Sequence, residues 1–107
     1  MPLYKYKVEA ESTSNIEWAK ISLEGKSVYL KPNGKKTKFT SSVREIQVDG
    51  KLHVFCKCKG DTGIEIKYTI TYVPKNKKVL NEQKVVIGDD TNEAPRIGKW
   101  SSDIDPV

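Results

Sequence analysis

The chain has one histidine, two cysteines, no Asn-x-Ser/Thr sequon and no run of about 18 apolar residues, and each scarcity removes a class of reading. Without the apolar run there is no transmembrane segment. The start, Met1-Pro2-Leu3-Tyr4-Lys5, carries no apolar stretch of a secretory signal, so the expectation is a soluble chain leaning towards the cytoplasm. With His53 as the sole histidine, a nucleophile that needs an imidazole base has one partner to choose from, and no residue pattern around His53 orients it. Cys56 and Cys58 stand two apart on what reads as a strand, so both point to one face, and a bridge between them would be strained. Free thiols buried in a core are expected, because free cysteine behaves as a small hydrophobe.

What is present is charge and alternation. The 107 residues suffice for one domain with one core, and charged residues make up 31% of them with a net charge of +5. That charge permits attraction to nucleic acid or anionic surfaces without requiring it. The densest lysine groups, Lys35, Lys36, Lys38 and Lys75, Lys77, Lys78, fall in expected hairpin loops, where they discourage edge-to-edge pairing. No internal repeat, low-complexity stretch or amphipathic helix is found.

Residues 3 to 10 put Tyr4, Tyr6, Val8 and Ala10 on one face, the pattern of a half-buried strand. Ile16 and Trp18 share one parity and Ile21 and Leu23 the other, which predicts a bulge near Ala19-Lys20. Gly25-Lys26 read as a type II′ turn sets Leu23 opposite Val28 and Ile21 opposite Leu30; Asn33-Gly34 as type I′ sets Leu30 opposite Thr37 and Val28 opposite Phe39. These three strands would form a meander. A loop at 59 to 63 aligns Cys58 with Ile64, Cys56 with Ile66 and Lys57 with Glu65 in a second hairpin. A last strand falls between Val79 and Ile87.

The fold class expected is an all-β, immunoglobulin-like antiparallel β-sandwich of about seven strands over residues 1 to 87, with a small closed β-barrel as the second reading. Residues 88 to 107 are expected to be a mostly irregular tail packed on the same domain.

No motif carries a complete chemistry. Gly25-Lys26-Ser27 lacks the first glycine of a phosphate-binding loop, where Lys20 stands. The oxygen-rich runs 89 to 93 and 103 to 105 lack EF-hand spacing. No catalytic residue, metal ligand or cofactor is assigned, and no enzyme is expected. Asp49-Gly50 read as a type I′ turn places Ile46, Val48 and Phe55 on the face away from the cysteines, beside His53. Such an apolar patch would mark a surface for a protein partner or a second copy of the chain, and a non-catalytic recognition or assembly module is the leading reading. A carbohydrate-binding module presenting Trp18, Trp100 or Tyr29 to a sugar is the alternative. Binding of nucleic acid or another anion through the lysine loops ranks below both, because Tyr68 and Tyr72 alternate inward, away from Lys67.

Overall fold

Alternation of apolar and polar residues builds the long strands of the computed structural model, which describes residues 2–88 and 96–107. Among these residues the strands are β1 (Leu3–Ser12), β2 (Trp18–Leu23), β3 (Lys26–Val28), β4 (Lys31–Pro32), β5 (Lys38–Thr40), β6 (Arg44–Gln47), β7 (Leu52–Lys59), β8 (Glu65–Tyr72), β9 (Lys77–Val86) and β10 (Ile97–Ile104). One short 3-10 turn, Val73–Lys75, joins β8 to β9. The strands form two antiparallel sheets, open rather than closed into a barrel. One has the order β4-β5-β1-β8-β9, with β6 also paired to β1; the other has the order β10-β7-β2-β3. No helix among the described residues is long and apolar enough to cross a membrane.

Both sheets give their inner faces to one core. Tyr6, Val8 and Ala10 of β1 and Ile66, Tyr68 and Ile70 of β8 meet Ile21 and Leu23 of β2 and Leu52, Val54, Cys56 and Cys58 of β7. Both thiols are free and fully buried, and burial pushes the Cys56 thiol up to about 12 and the Cys58 thiol up to about 11. β1 is the hub of the larger sheet. Its second half pairs with β5 and its first half with β6, and Ser41 bridges the handover: its N–H donates to Val8 O at 2.9 Å while its Oγ accepts from Val8 N at 2.9 Å.

The inward faces agree with the alternation, but the strand pairings do not. β7 and β8 lie in different sheets, so the chain between them arches across the core instead of turning back as a hairpin. Cys56 pairs with Ile21 and Trp100; Lys57 pairs with Lys20 and Lys99; Glu65 bonds Lys84 at 2.7 Å. β6 and β7 are likewise in different sheets, and Gly50, with φ of 81°, serves an arch. The expected meander also divides, because β3 belongs to one sheet and β4 to the other.

Local turn chemistry accounts for the shifted registers. The β2–β3 turn is Glu24-Gly25, with φ of 52° and 76°, so both central residues are left-handed as a type I′ turn requires, and Ile21 pairs with Val28. At Asn33, the side-chain oxygen accepts from the N–H of Thr37 at 2.9 Å and of Lys38 at 3.2 Å, and Lys36 takes the positive φ. The loop is therefore longer than two residues, and Pro32 pairs with Phe39. No bulge lies in β2: Ile16 precedes the strand, and Trp18 to Leu23 run in unbroken register with Lys59 to Val54. The irregularity falls in β9, where Glu82 adopts φ of 50° and its N–H bonds Thr69 Oγ1 at 3.2 Å. Residues 97–104 are a strand paired along β7, not an irregular tail, because Gly98 lets it approach Cys58 and Val85 closely.

Candidate functional site

The continuous register of β10, β7 and β2 sorts the outer face of the smaller sheet into cross-strand rows. One row is Lys20, Lys57 and Lys99, on three adjacent strands. The next is Ser22, Phe55 and Ser101, continued by Ser27 on β3; the last is Asp103 and His53, with Glu24 of the turn beyond β2. On the other side of the lysine row stand Trp18 and Lys59. The face grades from basic to acidic across a band of hydroxyls with one phenyl ring in its middle.

None of the three lysines meets a carboxylate among the described residues, although seven ion pairs form elsewhere, including Lys59 with Glu17 at 3.5 Å. The Lys20 ammonium lies 4.6 Å from the centre of the Trp18 ring. Three like charges directly opposite one another oppose sheet formation by a few tenths of a kcal/mol per pair, by about the amount a favourable pair contributes. The fold holds them from the core side. Tyr68, in the facing sheet, donates from its hydroxyl towards the carbonyls of Lys20 and Lys57, at 3.2 and 3.1 Å, beneath the row.

Phe55 is 43% exposed and stands between two shallow hollows. The basic one, about 330 Å³, is bounded by Lys20, Lys57, Ser22 and Ser27; the other, about 480 Å³, by His53, Asp103, Ser101 and Gly25. His53 Nδ1 contacts the Asp103 carboxylate, which can only accept, so Nδ1 carries a proton. Glu24 Oε2 accepts from the His53 backbone N–H at 2.6 Å and lies 4.0 Å from Nε2. The hydrogen bond to Asp103, then the charges of Asp103 and Glu24, raise the imidazole pKa above its ordinary value. Among the described residues no serine hydroxyl bonds the ring.

The residues singled out from sequence are dispersed. Ile46 and Val48 are core residues of the larger sheet's side and do not join Phe55 and His53 in an apolar patch; the arch between β6 and β7 moves them to the inner face. Trp18 and Tyr29 do come together, with Pro32 and Arg44, along a groove of about 500 Å³ where β3 and β4 part into different sheets. Trp100 is half-buried against the core from β10, away from that groove. Asp103 faces His53 and Asp105 faces Lys51, and the run 89 to 93 lies outside the described residues. Sequence reasoning missed the lysine row, because Lys20, Lys57 and Lys99 are 37 and 42 positions apart and only the pairing of three strands aligns them. Comparison with protein-family models, with curated proteins and with solved structures finds no match.

Proposed function

We propose that the chain is a non-catalytic recognition module, an immunoglobulin-like sandwich in architecture, that takes an anionic ligand on the outer face of its smaller sheet. The observation that carries this reading is the row Lys20, Lys57 and Lys99, three ammoniums on adjacent strands without a carboxylate against them among the described residues. An arrangement that disfavours the sheet is the kind a binding face retains. The hydroxyls of Ser22 and Ser27, in the hollow between Lys20 and Lys57, add neutral donors for an oxyanion. A protein or second copy as partner loses its main support with Ile46 and Val48 in the core, since Phe55 alone is a small apolar contact.

A second reading, binding of a neutral sugar, is favoured by one observation: Trp18 and the 71% exposed Tyr29 line the same groove. Titration with inorganic polyphosphate separates the two. Lys57→Glu is expected to weaken polyphosphate binding at least tenfold and Lys77→Asp, at the start of β9 in the other sheet, by less than twofold. Equal effects of the two changes would mean that net charge alone attracts the anion, and the face would lose its role.

A further inference from the structure

Resting on the anion-binding reading, we infer that the ligand is single-stranded nucleic acid, laid across the strands along Lys20, Lys57 and Lys99 with bases against Trp18 and Phe55. Four features of the face point to a polymer with alternating charge and flat rings. The first is spacing. Adjacent strands lie about 4.8 Å apart, so the backbones of the three lysines span about 10 Å in a line perpendicular to the strands, and the reach of their side chains lets them meet successive phosphates of an extended strand. The second is the placement of aromatics on both sides of that line: Trp18 is one row above Lys20, and Phe55 is one row below Lys57. A row is two residues along the strand, about 7 Å, which is within reach of a base whose phosphate rests on the lysines.

The third feature is Phe55 itself. A phenyl ring in the middle of a charged and hydroxyl-bearing sheet face, 43% exposed, has no hydrogen-bonding group to offer. What it offers is a π face, which every base can use irrespective of sequence. The fourth is the acidic row. Asp103 and Glu24, beyond Phe55, would repel a polyanion running along the strands, so the path is confined to the direction across them. The ammonium of Lys20 covers one face of the Trp18 indole, so a base stacks there by displacing it or uses the opposite face, and in either case its phosphate has that cation nearby. A duplex does not fit this description, since its base faces are closed to both aromatics.

Neutralising three phosphates of a single strand predicts a slope of about −2 for log K against log salt, which is roughly a twentyfold loss between 50 and 200 mM. The experiment is fluorescence anisotropy of the full chain with a labelled 12-nucleotide oligo-dT, with inorganic polyphosphate and heparin as labelled probes in parallel. Phe55→Ala is expected to weaken oligo-dT roughly tenfold and Phe55→Tyr to restore it, with polyphosphate binding changed by less than twofold in both. Far-UV circular dichroism and a thermal melt of each variant establish that it is folded, and Trp18→Ala is read in the same way. Lys57→Glu is expected to weaken all anionic probes and to lower the magnitude of the salt slope by about 0.7. If oligo-dT and polyphosphate respond alike to Phe55→Ala, or heparin binds and oligo-dT does not, the nucleic-acid inference falls while the anion-binding face stands. Should polyphosphate binding survive Lys57→Glu, the face itself is the wrong surface and both readings fall together.

Discussion

His53 concentrates the residue-scale chemistry of the outer face. Its Nδ1 proton is held by Asp103 and its backbone N–H by Glu24, so the ring is fixed between two carboxylates although it is exposed. The direction of its pKa shift gives a sign. A histidine whose pKa is higher in the folded chain contributes stability that is complete below its unfolded value, near 6.5, and is lost as pH rises through the folded value. The expected outcome is that Asp103→Asn lowers the His53 ring pKa, followed by NMR, and lowers the melting temperature more at pH 5.5 than at pH 8.5. A larger loss at pH 8.5 would mean that Asp103 acts through something other than the imidazolium. None of this was legible in the sequence, where Asp103 is 50 residues from His53 in a segment without a sustained period.

At the scale of elements, alternation reports which face of a strand is buried and nothing about which sheet the strand belongs to. Residues 52 to 58 and 64 to 70 illustrate the point. Both strands bury one parity, so an in-sheet hairpin pairs apolar with apolar, and an arch across the core also faces apolar towards apolar. The matched charges of Lys57 and Glu65 made the hairpin look specific, yet Glu65 has Lys84 and Lys57 has two lysines for neighbours. The same ambiguity hid β10, whose inward positions include Gly98 and so break the apolar period. That glycine has a testable reason to be there. An added Cβ would lie 2.9 Å from Cys58 Sγ, 3.1 Å from Val85 Cγ1 and 3.2 Å from the Val86 carbonyl oxygen, where β9 and β10 approach each other. Gly98→Ala is therefore expected to destabilise the chain by about 1–3 kcal/mol in urea unfolding, through overpacking. Gly34→Ala is the control, as no atom lies within 4 Å of its added Cβ and its φ is not positive, and a change within about 0.5 kcal/mol is expected. Equal losses at the two sites would remove close approach as the reason for Gly98.

For the whole molecule, the distribution of charge says more than its total. Lys77 and Lys78, expected in a hairpin loop, instead lie on β9, an edge strand with a bulge at Glu82, where charge and irregularity both hinder pairing with another chain. Within the row of Lys20, Lys57 and Lys99 only Lys99 stands on an edge strand, β10; Lys57 is paired on both sides in the middle of the sheet, where edge protection gives the row no use. If it is retained for binding, stability and binding must oppose each other there. Lys99→Glu replaces a like charge beside Lys57 with an opposite one, and the change from a repelling to an attracting cross-strand pair is worth about 0.4–2 kcal/mol at most, less where solvent screens it. With a screened gain of about 0.4–0.8 kcal/mol, and roughly 4–8 °C per kcal/mol for a chain of this size, the melting temperature is expected to rise by about 2–6 °C at low salt, with the gain shrinking as salt is added. Polyphosphate binding should fall at least tenfold in the same variant. Lys67→Glu, on the outer face of the other sheet between Lys84 and Glu11, is the charge control for binding, since it makes the same change of net charge away from the proposed surface while trading one like-charge neighbour for another. It should leave the melting temperature nearly unchanged, the gain against Lys84 being offset by the repulsion from Glu11, and leave polyphosphate binding within about twofold of the parent. A melting temperature that drops in Lys99→Glu would show that the lysine row does not oppose folding, and the argument that binding retains it would have no cost to explain.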